Sequence, residues 1–243
     1  HGLLHSLVPA DFDRAREALT HLSERHPRQA ALQAMLSDWH FLRSLQGWSE
    51  DLDAETRHLC DHARRAVDLD PDHPDALVAE GRARILAERD FDQAQRCYER
   101  ALERHPQHPM AWARLSETLR IAGRTDEACE SAARALALSP LDPQRFIYES
   151  FASSAALDAG RYDAAARHAR ASLRLHLMFA PPHRVLVSAL WLAGQEDAAR
   201  AAAREALRCL PGLTVSGRIG RRAGRGQIDS DYARAQLAAG IPP

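Results

Sequence analysis

The sequence contains no lysine and no asparagine, so all 32 basic residues other than histidine are arginine. The missing lysine excludes a phosphate-loop lysine, a Schiff base and a lysine general base from this chain. Recognition of carboxylate or phosphate therefore has to run through arginine. With 33 acidic residues the formal net charge is -1, which gives no overall attraction to nucleic acid or to a membrane surface.

Long apolar runs are also missing: no stretch of about 18 apolar residues occurs, so the sequence predicts no membrane-spanning helix. The four cysteines lie far apart and form no Cys-x-x-Cys pair, which excludes a zinc knuckle or a redox motif of that kind. We expect them to be small buried thiols in a reducing compartment, and we predict a cytoplasmic location. They are Cys60, Cys97, Cys129 and Cys209.

Catalytic motifs are absent as well. There is no glycine-rich phosphate loop joined to a strand and no nucleophile elbow, and the scattered acidic residues are expected on solvated helix faces. We therefore predict a non-catalytic chain with no cofactor. His58 and His62 have the i, i+4 spacing of two metal ligands beside Asp61, but no third ligand is evident, and chance spacing among 13 histidines accounts for them.

What the sequence does contain is a repeat of about 34 residues, clearest at 109–140. There, Trp112, Leu115 and Leu119 are spaced to share one face of a helix that Gly123 ends. A second helix follows with a stripe of small residues, which lets two helices approach closely, so the unit predicts an antiparallel helical hairpin. The stripe consists of Ala128, Ala132 and Ala135.

The same offsets recur along the chain. Ala94, Tyr98 and Ala101 precede Pro106 in one unit, and another unit closes on Pro211 after alanines at the same offsets, 199, 203 and 206. We predict a repeat array at 1–211, made of a half repeat at 9–27 and full repeats at 28–71, 74–106, 109–140, 143–177 and 180–211. A Gly/Arg-rich connector at 212–228 and a capping helix with its tail at 229–243 complete the predicted chain.

Trp-x2-Leu followed by Ala-x3-Ala and a closing proline resembles the tetratricopeptide repeat (TPR) pattern over nearly the whole chain. This resemblance implies an all-α fold, a right-handed superhelical α-solenoid whose first helices line a concave groove. It also implies a peptide groove formed by residues near the second, fifth, ninth and twelfth positions of each unit. The groove residues predicted in this way are Ala79, Ala83, Leu86, Ala113, Glu117, Arg120, Ser150, Ser154, Leu157, Arg184, Ser188 and Trp191.

The predicted lining mixes small residues, arginines and one tryptophan, which suits a protein or peptide ligand with acidic and aromatic residues. Some TPR domains hold a terminal carboxylate through Lys and Asn; this chain has neither, which argues against that clamp. Trp191 has a second interpretation, as a residue packed between repeats. Trp48, in the loop 46–53, is either a partner anchor or a ring folded back over the exposed end of its repeat.

Three short motifs near the carboxyl end resemble the end of TPR regions that follow adenylate/guanylate cyclase or winged-helix domains in bacterial regulatory proteins. They are Leu-Met-Phe-Ala-Pro-Pro-His-Arg at 177–184, Pro-Gly-Leu-Thr-Val-Ser at 211–216 and Ala-Ala-Gly-Ile-Pro at 238–242. The arginines of the connector lack interleaved aromatic residues, which argues against nucleic-acid binding. Because the chain opens at His1 on half a repeat, we expect a piece of a longer or processed polypeptide, whose catalytic domain, if any, lies elsewhere.

Two functional hypotheses remain open from the sequence. The first is an interaction scaffold that binds a peptide or a partner domain, such as the amino-terminal effector domain of its own full-length chain. The second is a sensor or regulatory domain of a larger bacterial signalling protein, namely a nucleotide cyclase or a winged-helix transcription regulator.

Overall fold

The computed structural model describes residues 3–215 and 230–243, and in these residues all regular structure is α-helical, with no strand. The predicted all-α helical-repeat fold is confirmed. Of the predicted connector, residues 216–228 lie outside the described part. The helices are α1 (Pro9–Arg25), α2 (Ala30–Leu45), α3 (Leu52–Leu69), α4 (Pro74–Glu88), α5 (Phe91–Arg104), α6 (Pro109–Ile121), α7 (Thr125–Leu138), α8 (Arg145–Asp158), α9 (Tyr162–Leu175), α10 (Ala180–Leu192), α11 (Glu196–Cys209) and α12 (Asp231–Ala239).

Consecutive helices from α2 to α11 pack in pairs, so that α2/α3, α4/α5, α6/α7, α8/α9 and α10/α11 form five hairpins. The first helix of each hairpin also packs against the first helix of the next hairpin, which builds a continuous row. At one end α1 packs on α2, and at the other α12 packs on α10 and α11. These terminal helices cover apolar surface that the row would otherwise leave open.

Local sequence signals set the helix ends. Pro74 and Pro109 occupy the first turn of α4 and α6, where a missing N–H leaves no bond unmade. The side chain of His108 then caps α6, because its Nδ1 accepts a hydrogen bond from the backbone N–H of Ala111 at 3.1 Å. Gly123, between α6 and α7, has φ of 78°, a left-handed conformation that glycine adopts without the steric cost of a Cβ.

The hairpin of α4 and α5 is packed through small residues around one aromatic ring. Ala94, Tyr98 and Ala101 on α5 are fully buried. Gly81 on α4 makes room for that ring, because a Cβ on Gly81 would lie 2.4 Å from Cε1 of Tyr98. The close approach of α4 and α5 therefore depends on a glycine within a helix.

The first hairpin is built differently, on large aromatic rings. Phe12 of α1 stacks on Trp39 of α2 with ring centroids 4.9 Å apart, and the Trp39 indole donates to the Phe12 carbonyl at 2.8 Å. Trp48, in the loop between α2 and α3, folds back and places its ring edge-on to Phe12 at 5.1 Å. Of the two interpretations of Trp48, the structure has the folded-back one.

The loop after α2 reaches the far end of the row. The side-chain amide of Gln46 donates to the Met178 carbonyl just before α10, at 3.1 Å and 132 residues away in the chain. The first hairpin therefore touches the fifth across the concave side.

The cysteines and the apolar character of the helices were also predicted from the sequence. The four cysteines are free thiols, but each is only half-buried, which corrects the expectation of buried thiols: they lie on second helices whose outer faces meet solvent. Within residues 3–215 and 230–243, no helix has both the length and the apolar character needed to cross a bilayer.

Candidate binding cavity

The helices α2, α6 and α8 and the start of α10 surround a cavity of about 130 Å³ on the concave side. Its wall is mostly apolar, because three aromatic rings and several aliphatic side chains turn inward at this point. The apolar lining consists of Phe41, Leu42, Leu45, Met110, Ile147, Phe151, Phe179 and Pro181, and the polar lining of His5, Asp38, Arg114, Glu117, Arg120, Gln144, Ser150 and Ser154.

Arg114 of α6 is the buried cation of this cavity, with 6% of its surface exposed. Its guanidinium lies between two rings, 4.9 Å from the Phe41 centroid and 5.0 Å from the Phe151 centroid. One of its nitrogens, Nη1, donates to Oε2 of Glu117 at 3.2 Å, whereas the buried Nε has no hydrogen-bond partner. Ring faces and a carboxylate therefore fix a positive charge at the cavity wall.

Two more ion pairs border the cavity. Asp38 on α2 pairs with the buried Arg82 of α4, whose guanidinium lies 4.8 Å from the Phe41 centroid on α2. Arg120 pairs with Asp158 at 2.5 Å, and both side chains are about four-fifths buried. Because the carboxylates are bound by arginines, the charges around the cavity are balanced in pairs.

Four of the twelve predicted groove residues line this cavity: Glu117, Arg120, Ser150 and Ser154. Another five are buried against neighbouring helices, since α4 is packed on both sides by first helices and α6 and α8 turn these positions toward their own hairpins. These five are Ala79, Ala83, Leu86, Ala113 and Leu157. The assignment of all twelve residues to a peptide groove stays a prediction.

The last three predicted groove residues lie near the carboxyl end of the row. Ser188 is fully buried under α12, where its hydroxyl donates to the Tyr232 carbonyl at 3.2 Å and accepts from the Gln236 amide at 2.9 Å. Trp191 packs in the carboxy-terminal core, with the Arg200 guanidinium 5.1 Å from its ring centroid. Trp191 is therefore partly buried against this core, and its assignment to the groove stays a prediction.

Arg184 lines a second cavity, of about 470 Å³, between the turn after α2 and the chain that follows α11. Its Nη1 donates to the Thr214 carbonyl at 3.4 Å, and in the described ranges no carboxylate pairs with it. Burial lowers the pKa of Arg184 to about 10. Leu45 lines both cavities, so the two are neighbours.

Residues 3–8, which we call the N-terminal segment, cross the concave face. Leu4 is 1% exposed and packs with Phe12 and Trp39, whereas Leu7 is 4% exposed and packs in a cluster with Phe146 and Phe179. Between the two leucines, His5 lines the 130 Å³ cavity and the Ser6 carbonyl accepts a hydrogen bond from Nε2 of His176 at 2.9 Å. The chain itself therefore closes one side of the cavity.

His58 and His62 lie on α3, where both rings stack on His40 of α2, with centroids 5.1 and 5.6 Å away. Nδ1 of His40 is 2.6 Å from Oε2 of Glu55. Burial, with His40 and His58 nearby, lowers the pKa of His62 to about 4. In the part of the chain that the structure describes, these side chains do not form a group of three or more metal ligands.

Sequence reasoning missed the α2 wall and the ring-flanked arginine. Arg114 directly follows Ala113, which was predicted to face the groove, and Phe151 follows Ser150 in the same way. One residue along a helix rotates a side chain by about 100°, so a small error in register replaces an inward residue by its neighbour. The aromatic residues at Phe41 and Phe151 were the available signal.

Comparison with known proteins agrees with this architecture. Residues 85–143 and 152–213 match the tetratricopeptide repeat family model. A search of curated protein sequences gave no match.

Among solved structures, the fold is similar to that of PilW, a type IV pilus biogenesis factor, with TM-score 0.61 and 18% identity, covering 86% of this chain and 90% of PilW. It is also similar to TTC0263, a thermophilic TPR protein of Thermus thermophilus, with TM-score 0.55 and 19% identity over 76% of this chain and 92% of that one. PilF of Pseudomonas aeruginosa gives TM-score 0.54 and 18% identity over 84% of this chain and 90% of PilF. These likenesses concern the fold, and the family match shows tetratricopeptide repeats at residues 85–143 and 152–213.

Proposed function

We propose that this chain is a non-catalytic interaction scaffold that holds a segment of a partner protein or peptide in the 130 Å³ cavity. The observation that carries the proposal is Arg114, a buried cation held between Phe41 and Phe151 at the wall of a cavity lined by both apolar and polar side chains. A cavity with these walls is suited to recognition, because it offers apolar contact together with polar groups whose positions are fixed by their ion pairs.

The size of the cavity supports one anchoring side chain. An apolar cavity of about 150 Å³ holds one benzene ring, so about 130 Å³ suits a single aromatic or large aliphatic side chain. The rings of Phe41, Phe151 and Phe179 in the cavity wall favour an aromatic or large aliphatic side chain, because such a side chain can pack against them. In the neighbouring cavity Arg184 has no carboxylate partner among the described residues, which supports an acidic residue elsewhere in the ligand.

A displayed peptide library, selected on the full chain, tests the proposal. We expect enrichment of peptides that combine an aromatic or large aliphatic residue with acidic residues. Ser154→Phe, which places a ring in the cavity, should weaken binding of a selected peptide at least tenfold, and Arg184→Ala should weaken acidic peptides selectively. Arg204→Ala, an exposed position on α11, is the matched control. Unchanged affinity in Ser154→Phe would contradict binding in this cavity.

A second candidate function is regulation of an effector domain in a longer bacterial, cytoplasmic signalling protein. The observation that favours it is the position of the N-terminal segment, because in a longer polypeptide a domain preceding this segment would be attached beside the cavity. The three carboxy-terminal motifs support a nucleotide cyclase or a winged-helix regulator as that domain. The test is the effector activity of the longer polypeptide, measured with and without a library-selected peptide. Regulation predicts that the peptide changes this activity, and equal activities would contradict it.

A further inference from the structure

The N-terminal segment occupies the concave face much as a bound peptide would. We propose that this segment is exchangeable, and that a partner segment of the same chemistry takes its place at the edge of the 130 Å³ cavity. That chemistry is two leucine-like side chains three residues apart, with a backbone carbonyl between them that accepts a hydrogen bond from His176. The inference rests on the proposed function, because the clusters around Leu4 and Leu7 share side chains with the cavity wall, namely Phe41, Leu42, Leu45, Ile147 and Phe179.

The first support is the burial pattern of the segment. Leu4 and Leu7 are 1% and 4% exposed, whereas the flanking Leu3 and Val8 are 37% and 49% exposed. The two buried leucines contact opposite walls: Leu4 lies with α1 and α2, and Leu7 lies with Phe146 and Phe179 at the starts of α8 and α10. Two apolar side chains therefore make most of the contact that holds the segment in place.

The second support is that the polar contacts place few demands on sequence. His176 donates to the backbone carbonyl of Ser6, a group that any peptide possesses. The Ser6 hydroxyl bonds only within the segment, donating to the Leu3 carbonyl at 3.0 Å and accepting from the Val8 N–H at 3.3 Å. A partner segment with two suitably spaced leucines can therefore replace the segment without matching its other side chains.

The third support is backbone strain at the second buried leucine. Leu7 has φ of 50°, in the left-handed region where a residue with a Cβ is penalised. The chain accepts this conformation because it has to turn from Leu7 into α1, which begins at Pro9. A partner that reaches the same site from another direction carries no such constraint, so exchange is favoured at this position.

An attached segment is also a strong competitor. Tethering gives it an effective concentration that reaches the millimolar range for short linkers, so partners should bind the unaltered chain more weakly than a chain whose segment is displaced. This difference in affinity is the quantity to measure.

The experiment uses a labelled peptide of residues 3–9, Leu-Leu-His-Ser-Leu-Val-Pro, and three full-length chains, with affinity read by fluorescence polarisation. The chains are the wild type, Leu4→Ser/Leu7→Ser, and the control Leu3→Ser/Val8→Ser, which alters the exposed flanking residues. We expect the peptide to bind Leu4→Ser/Leu7→Ser at least tenfold more tightly than either other chain. The same peptide with serine at positions 4 and 7 should not bind, and Ile147→Glu added to Leu4→Ser/Leu7→Ser should abolish binding.

Equal affinity for Leu4→Ser/Leu7→Ser and the control, with helical circular dichroism as in the wild type, would overturn the inference. Should Leu4→Ser/Leu7→Ser lose helical signal, Leu7→Ser alone replaces it, since that variant leaves Leu4 in the first hairpin's core, and the same comparison decides.

Library-selected peptides separate the two proposals. Selected peptides that bind the wild type and Leu4→Ser/Leu7→Ser equally, and lack a leucine pair, overturn the exchange while the binding function stands. If neither the library nor the peptide of residues 3–9 yields binding to any chain, both proposals fail.

Discussion

The first hairpin, α2/α3, and the second hairpin, α4/α5, are packed with different residues. Between α4 and α5, small residues let the helices approach, and Tyr98 fills the space beside Gly81. The pair α2 and α3 also buries small residues, Ala63 and Ala66, but α2 adds aromatic contacts: Trp39 stacks on Phe12 of α1, and His40 stacks on two histidines of α3. The contact of Gly81 with Tyr98 lies within one hairpin, whereas the first hairpin is also shaped by contacts with α1 and with the turn before α10.

The consequence of this difference lies on the concave side. The longer connection between α2 and α3 carries Gln46 to the Met178 carbonyl and Trp48 to Phe12. The first hairpin also supplies one wall of the cavity, through Asp38, Phe41 and Leu45 of α2. The hairpin that differs most from the repeat pattern is thus part of the candidate site.

The largest expected effect is at the aromatic core of the first hairpin. Trp39→Ala should lower the free energy of unfolding by about 3–5 kcal/mol, because it empties a fully buried site and leaves Phe12 without its stacking partner. Urea denaturation followed by circular dichroism measures the loss. Leu141→Ala, at a position 94% exposed, is the control and should change little. A loss below about 1 kcal/mol for Trp39→Ala would mean that the rings do not stabilise this hairpin as described.

A smaller loss of stability is expected from a substitution between α4 and α5. Gly81→Ala should cost about 2 kcal/mol, because the new methyl group meets the Tyr98 ring at 2.4 Å and outweighs alanine's better helix propensity. Gly212→Ala, where nothing lies within 4 Å of a Cβ, is the matched control and should be nearly neutral. Both are measured by urea denaturation. If Gly81→Ala were as stable as Gly212→Ala, the contact between α4 and α5 would accommodate the added methyl group without a loss in the free energy of unfolding.

The smallest effect concerns the stacked histidines that distinguish the first hairpin. Burial lowers the folded-state pKa of His62 to about 4, so between about pH 6.5 and 4 the unfolded chain binds more protons than the folded one. This contribution to stability is therefore complete above pH 6.5 and is lost as the pH falls. We expect about 1 kcal/mol to be lost between pH 7.5 and 5, after allowing for screening at a partly exposed ring.

Substitution of His62 isolates this contribution. His62→Gln should lose about 1 kcal/mol less than the wild type over the same pH interval, as measured by thermal denaturation at each pH. His21→Gln, at an exposed position on α1, is the control and should follow the wild type. An identical pH profile for His62→Gln and the wild type would assign the acid sensitivity to other groups, of which His40 is the nearest, with a pKa also lowered by burial.

The hairpins were predictable from sequence because their signals are local. Ala94, Tyr98 and Ala101 recur at fixed offsets, and Gly123 marks a turn, so neighbouring residues alone indicate the helices. Terminal prolines on α4 and α6 add a signal that works in the same local way.

The cavity was only partly predictable because its walls are distant in sequence. Glu117 and Ser150 follow from the repeat register, but Arg114 depends on the rotation of α6, which packing decides. The contact of Ser6 with His176 spans 170 residues and leaves no periodic signal. A repeat pattern contains only the features that successive units have in common, and each of these contacts occurs at one place in the chain.

The bond between Gln46 and Met178 also changes how such a row should respond to force and heat. A helical-repeat array with separated ends behaves as a spring, and its outermost units can open first because each has a neighbour on one side only. A hydrogen bond between the first hairpin and the turn before α10 adds a contact that unfolding from either end has to break, so the terminal hairpins are opposed by one interaction more than in an array with separated ends.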